Sequence, residues 1–262
     1  MGYVDLHIHS TASDGVLSPS EIVRYAKAKG LQAIAITDHD TIEGCKEGLA
    51  EGERIGFEVI PGIEISAEHF PGTMHILGFF LDIHHPFLNE RLKFLQKARA
   101  ERNPKIVEKL NGLGIDITFE EVLRASGGGQ VGRPHFANVL LEKKYVRSFQ
   151  EAFDRFLKKG APAYVEKFRF TSKEALHLIN EAKGVAVLAH PKTLGMNGYS
   201  ELEKLILQLV GEGLKGIEVY YPEHSAAEIA QYKTLAERYG LLSTGGTDYH
   251  GMEKNQLDIG VG

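Results

Sequence analysis

An α/β fold, with a parallel sheet covered by helices in either a barrel or a doubly wound arrangement, is what this sequence predicts. Three observations lead there. Seven short, near-continuous apolar runs recur along the chain. Helical patterns with their own start and stop residues separate most of them. At 262 residues, 43 % hydrophobic and 25 % charged, the chain is also long enough to bury a sizeable core. Strands covered on both faces read as unbroken apolar runs rather than as alternating ones, which is why these runs point to a parallel sheet.

The first strand is expected over residues 3–8. Ser18-Pro19-Ser20-Glu21 then forms a capping box with proline at the first helical position, and Gly30 stops that helix. Strands follow at 31–36 (LQAIAI), at 57–60 (FEVI) continuing to 63–65, and at 74–81 (MHILGFFL). The rhythm then breaks. Residues 86–160 are helical and charged, and Asn103-Pro104 is predicted to kink or divide the first of their helices. Capping boxes at Thr118…Glu121 and Ser148…Glu151 open further helices, and Gly127-Gly128-Gly129 is predicted to be a joint. The stretch is expected to be a helical insertion covering the mouth of a domain made of residues 1–85 and 161–262. Beyond it, boxes at Thr171…Glu174, Ser200…Glu203 and Ser225…Glu228 start helices, with stops at Gly184 and Gly240. The last three strands are expected at 185–189, 214–220 and 241–244.

Composition removes several function classes. The formal charge of −5 and the lack of a long basic track argue against duplex nucleic acid as a partner. No apolar run reaches the length of a membrane span. The start, MGYVDLHIHS, lacks the basic and apolar regions of a secretory signal, and Leu6 occupies the place where a myristoylation motif needs Ser or Thr. The single cysteine, Cys45, fits a reducing compartment, so a cytoplasmic location is expected.

The chemistry lies in where the histidines fall. His7 and His9 end the first strand, and Asp14 lies in the following loop. His39 ends the second strand, Glu64 closes the third, His190 ends the fifth, and Asp248 and His250 follow the seventh. His75 opens the fourth strand instead, and must reach in from an edge or a bulge. Loops at the C-terminal ends of parallel strands converge on one face, where active sites sit. The His-x-His spacing puts both imidazoles of His7 and His9 on one side of a strand. A lone strand-end histidine is more often a hydrogen-bonded surface residue, but nine such ligand types in strand-end positions are not explained that way. Three carboxylates buried together require cations, and nine donors exceed what one tetrahedral ion needs, so a polynuclear site is expected. Imidazole and carboxylate without thiolate suit Mn, Fe or Zn. His69, His84, His85, His177 and His224 are read as ordinary structural histidines, and Lys192 as an exposed loop lysine. Asp38 and Asp40 are expected to orient His39 or to cap the next helix.

On these residues the sequence resembles the polymerase-and-histidinol-phosphatase (PHP) superfamily. The matching segments are Asp5-Leu6-His7-Ile8-His9-Ser10, Thr37-Asp38-His39-Asp40, Pro61-Gly62-Ile63-Glu64, Ala189-His190-Pro191 and Gly246-Thr247-Asp248-Tyr249-His250-Gly251. The resemblance implies a distorted (β/α)7 barrel holding two or three divalent ions. Carried over by position, it implies that His7, His9, Glu64 and Asp248 hold one ion and that Asp14, His39 and His250 hold a second. Glu64 is then shared with a third, held by His75 and His190. Asp14 stands where some relatives have His, which makes that site a harder one. The segment Gly132-Arg133-Pro134-His135 is similar to nucleoside 3′,5′-bisphosphate phosphatases and to relatives that trim short RNA from its 5′ end. That likeness implies that Arg133 and His135 contact substrate phosphate, a role suited to the forked guanidinium.

The expected function is hydrolysis of a phosphomonoester, most specifically the 3′-phosphate of a nucleoside 3′,5′-bisphosphate. The mechanism implied is in-line attack by a hydroxide bridging two cations, with no protein nucleophile. A small phosphorylated nucleotide or short oligonucleotide is the expected partner. Exonuclease action on short oligoribonucleotides is the first alternative, and a metal-stabilised binding module without activity is the second. A histidinol-phosphate phosphatase fits the helical insertion less well. An amidohydrolase is disfavoured because no strand end carries a lysine suited to carbamylation.

Overall fold

The computed structural model describes residues 3–127, 129, 131–196, 198–252 and 257–260. Gly128, in the middle of the predicted glycine joint, and Met1-Gly2 lie outside the described residues. The chain forms two compact units, Met1–Leu92 with Arg169–Gly262, and Lys93–Phe168.

The first unit contains seven strands, β1 (Val4–Ile8), β2 (Ala33–Ile36), β3 (Glu58–Ala67), β4 (Met74–Phe79), β5 (Val185–Leu188), β6 (Gly216–Tyr220) and β7 (Leu242–Gly245), in that order across one sheet. Each of the seven apolar runs is therefore a strand. The sheet is not wholly parallel. The pairs β1–β2, β2–β3, β5–β6 and β6–β7 are parallel, whereas β4 runs against both β3 and β5. A parallel return needs roughly a dozen residues or more, and Glu68–Thr73 is too short to supply one. The sheet curls into a nearly closed barrel, its ends meeting where Ile8 bridges Tyr249 and where His9 N–H donates to Tyr249 O at 2.9 Å. Gly246 permits that approach, since a Cβ there would lie 2.4 Å from His7 Cβ. This is the distorted (β/α)7 barrel.

Helices α1 (Pro19–Ala28) and α2 (Glu43–Ile55) cover one part of the sheet, and α7 (Ser172–Glu181), α8 (Tyr199–Glu212) and α9 (Ala226–Tyr239) cover another. The capping boxes of α1, α7 and α9 form at Ser18, Thr171 and Ser225. The box expected at Ser200 does not form. Gly198 is the N-cap of α8, so Ser200 lies inside the first turn. The stop of α7 comes at Lys183, whose φ is +61°, one residue before Gly184. On α2 the glycines 44, 48 and 52 form a stripe against the sheet, and a Cβ at Gly48 would fall 2.2 Å from Ile36 Cδ1. That stripe lets the helix lie unusually close to β2.

The second unit contains no strand among its described residues. Most of α3 (Pro86–Gly112) belongs to it, together with α4 (Phe119–Ala125), α5 (Arg133–Glu142) and α6 (Phe149–Ala152), which continues as a wider turn over Phe153–Leu157. Helix α3 is not divided at Pro104. The unit has its own core, with Ile106, Leu110, Val122, Phe136, Leu140 and Leu157 fully buried. Thr118 and Ser148 both cap as expected, although the Glu151 carboxylate accepts from Arg147 N–H. Among the described residues no helix is long and apolar enough to cross a membrane.

Candidate metal centre

At the C-terminal ends of the parallel strands, alternation along β1 turns His7 and His9 inward, and both are fully buried. The loop after β1 brings Asp14. It is tied down by Asp38, which accepts from Ser10 N–H at 2.8 Å, Ser10 Oγ at 2.7 Å and Ser13 Oγ at 2.7 Å. Asp40, held at φ +52°, accepts from Ser66 N–H at 2.8 Å and so fixes the end of β3. Neither aspartate caps α2, whose N-cap Ile42 makes no side-chain bond. Their work is to fasten loops. The reversal of β4 explains His75. Its start lies at the same end as the finish of β3, with His75 paired to Ser66, so the side chain reaches the centre without a bulge.

Glu64 is the hub. Its Oε1 lies 2.7 Å from His75 Nδ1, 2.9 Å from His190 Nε2 and 3.4 Å from His7 Nε2. Its Oε2 lies 2.6 Å from His39 Nδ1 and 3.3 Å from His9 Nε2. Asp248 Oδ1 stands 3.4 Å from His7 Nε2 and 3.1 Å from His9 Nε2, and Asp14 Oδ1 stands 3.3 Å from His250 Nε2. Three donor sets come together, each within 4.8 Å: His7, His9, Glu64 and Asp248; His9, Asp14, His39 and His250; and His39, Glu64 and His75. The first is the set implied by position. The second adds His9 to the implied set, and the third has His39 where His190 was expected.

The electrostatics are those of opposed charges in a dry place. Burial alone raises the Glu64 carboxyl, yet His39, His75 and His7 hold it well below the usual carboxylate range. Asp14 is likewise held low against burial by His250 and His39. Burial disfavours a charge on His7, but Glu218, Asp248 and Glu64 raise its pKa well above the ordinary value. His75 goes the other way, pushed down to about 4 chiefly by burial.

These residues fit divalent ions. His7 Nε2, both ring nitrogens of His9, His39 Nδ1 and Glu64 Oε2 are buried and make no hydrogen bond. Buried polar atoms left so are rare and costly unless something else occupies their lone pairs. Donors about 2.0–2.1 Å from a tetrahedral ion stand roughly 3.3–3.4 Å from each other, the spacing found between His7 Nε2 and its two carboxylates. The donors are imidazole and carboxylate only. Cys45 packs against Gly62 O at 3.2 Å, and burial pushes its thiol up to about 12.

Two residues outside the sequence reading join the site. Glu218 of β6 is fully buried, with Oε1 2.9 Å from His7 Nδ1 and Oε2 accepting from His190 N–H at 2.7 Å. Tyr221 Oη donates to Asp248 Oδ2 at 3.2 Å. A signal for Glu218 was present, as a lone acid inside the apolar run Gly216–Tyr220. Backbone strain gathers here too, with His190 at φ +23° and Asp248 at φ +54°.

Arg133 and His135 lie in the other unit, at the start of α5. Arg133 Nη1 donates to Leu157 O at 3.1 Å, with its guanidinium near the Phe153 and Tyr164 rings. His135 is buried and its Nδ1 accepts from Gly132 N–H. Of the histidines read as structural, His69 contacts Leu194 O at 3.0 Å, His224 contacts Val219 O at 3.0 Å, and His177 is exposed. Lys192 donates to Glu223 O.

The PHP domain model matches residues 5–221. A 3′,5′-nucleoside bisphosphate phosphatase of Chromobacterium violaceum is 33 % identical over 99 % of this chain and 91 % of its own. A 5′-3′ exoribonuclease of Haemophilus influenzae is 34 % identical over 94 % and 89 %. The solved structure of a Chromobacterium violaceum protein described as an amidohydrolase, with bound sulfate and no metal, superposes with a TM-score of 0.90 at 33 % identity, covering 99 % of this chain and 90 % of that one. A family match that takes in Glu64 and His190, together with likeness at full length in both sequence and fold, makes this chain a member of the PHP domain family and a metal-dependent phosphoesterase.

Proposed function

We propose that this chain removes the 3′-phosphate of a nucleoside 3′,5′-bisphosphate. The observation that carries a phosphoester reading is the cluster around Glu64, where His7 Nε2, both ring nitrogens of His9, His39 Nδ1 and Glu64 Oε2 are buried together and make no hydrogen bond. His7, His9, Glu64 and Asp248 would hold one ion, Asp14, His39 and His250 a second, and His75 and His190, with Glu64, a third. Mn, Fe or Zn suits these donors. Such ions, when bound, supply a water acidic enough to attack at neutral pH and neutralise charge on the phosphoryl oxygens. The chain's own residues do the rest. Burial of His7, His9 and Glu64 keeps bulk water from competing at the reacting end. Asp38 and Asp40 hold the loops that carry Asp14 and the end of β3. Arg133 and His135 are the proposed readers of the phosphate that is not cleaved, and the helical stretch 86–160 is the proposed substrate cap.

The choice of substrate is supported by the bisphosphate phosphatase, similar over nearly its full length. The second reading, 5′-3′ exonuclease action on short oligoribonucleotides, is favoured by the exoribonuclease likeness. Turnover of 3′,5′-bisphosphoadenosine against a 5′-labelled tetranucleotide, both with added Mn, separates them. Faster release of inorganic phosphate from the bisphosphate is expected. Mononucleotide release from the tetranucleotide as the faster reaction supports the exonuclease instead, and no turnover of either leaves a binding module.

A further inference from the structure

Glu218 is fully buried on β6 and touches two of the proposed ion ligands, which lie far apart in sequence. One oxygen faces the His7 ring, and the other accepts from the main chain of His190, a residue held at φ +23°. We propose that Glu218 is a positioning residue that fixes His7 and His190 together, setting the tautomer of one and the backbone of the other, so that two ion sites depend on one carboxylate.

The argument is one of donors and acceptors. His190 N–H can only donate, so Oε2 must accept. His7 Nε2 faces Glu64 and Asp248 and must keep its lone pair to bind an ion there, so the ring proton belongs on Nδ1, which lies 2.9 Å from Oε1. Glu218 therefore meets two donors, and only a carboxylate offers two acceptors at that spacing. Glutamine has the same shape but one acceptor and one donor. If its oxygen serves His7, its amide faces the His190 N–H, donor against donor, at a strained backbone. If its oxygen serves His190, its amide donates to His7 Nδ1 and drives the ring proton to Nε2, the atom that should bind. Either way one ligand is lost. A residue that merely filled space between β5 and β6 would tolerate this change.

The proposal rests on the reading of His7 and His190 as ligands, so Glu218→Gln is tested beside His9→Ala. Mn and Zn titrations of the two variants and of the unaltered chain are expected to show 10–100-fold weaker binding in Glu218→Gln, the usual range for losing an outer partner of a ligating histidine. The metal-free fold should be retained by circular dichroism. Unchanged affinity in Glu218→Gln with loss in His9→Ala overturns the proposal and leaves the ligand reading standing. Unchanged affinity in both overturns the ligand reading as well. Should Glu218→Gln fail to fold, nitrogen-15 NMR of the zinc-loaded unaltered chain decides. A His7 ring carrying its proton on Nδ1 supports the proposal, and one bound to zinc through Nδ1 overturns it.

Discussion

The strand ends of the barrel and the start of α5 both gather histidine and charge, yet they treat those groups in opposite ways. Around Glu64, His7 Nε2, both ring nitrogens of His9 and His39 Nδ1 are buried and make no hydrogen bond. At α5, Arg133 donates to Leu157 O and His135 accepts from Gly132 N–H. The first arrangement is expensive as protein alone and becomes reasonable only with cations in place. The second makes its hydrogen bonds within its own unit. Motif letters are thus a weaker guide to a site than buried donor atoms that face one another without hydrogen bonds.

The largest effect should come from removing one of the barrel donors. His9→Ala or Asp248→Ala is expected to lower phosphoester turnover on the order of 10³-fold, equivalent to about 4 kcal/mol of transition-state stabilisation, with the chain still folded. Exhaustive chelation should do the same, and Mn should reverse it. Full activity in either variant would erase the contrast with α5. Next comes Arg133→Ala. It should raise KM for a bisphosphate about 10–100-fold, the worth of a charge-assisted bond, while sparing turnover of a small monophosphate. If both constants are unchanged, the start of α5 is purely structural and the contrast is complete.

Acidity sharpens the comparison further in the metal-stripped chain. The Glu64 carboxyl lies below its ordinary 4.5, because the surrounding imidazoles outweigh burial. Its contribution to stability is present above about 4.5 and fades as pH falls. His7 lies above its ordinary 6.5, because Glu218, Asp248 and Glu64 outweigh burial. Its contribution is complete below about 6.5 and is lost as pH rises through the raised value. Thermal unfolding should therefore peak between those two pH values without metal, and the gain from added Mn should be greatest above them. A stability that declines neither as pH falls below about 4.5 nor as it rises above about 6.5 would show that the charges around Glu64 are not coupled to folding. The smallest effect belongs to the helical unit. Thr118→Ala removes the N-cap of α4 and should cost about 1 kcal/mol in denaturant unfolding, with metal content unchanged.

Much of this was legible in the residues. All seven strands coincide with apolar runs, and the donors that meet around Glu64 were marked by their places at strand ends. The wholly parallel sheet was the error, and the corrective signal was a count. Six residues, Glu68–Thr73, are too few for a covering helix, so β4 had to turn back, and that turn is what delivers His75. Ser200…Glu203 had the spacing of a capping box, but Gly198 started the helix earlier, because spacing alone does not fix which residue leaves the extended conformation. Glu218 escaped notice because its partners, His7 and the main chain of His190, are distant in sequence and meet only once the sheet has curled.

The seam at Ile8 and Tyr249 has a consequence for how the chain matures. Joining points so far apart carries a large loop-closure cost, met only when most of the sheet has formed. His7 and His9 stand on one side of that seam, and Asp248 and His250 on the other. Without the segment after β7 the cluster would lack Asp248 and His250, so acquiring a full complement of ions doubles as a report that the barrel has closed at its seam.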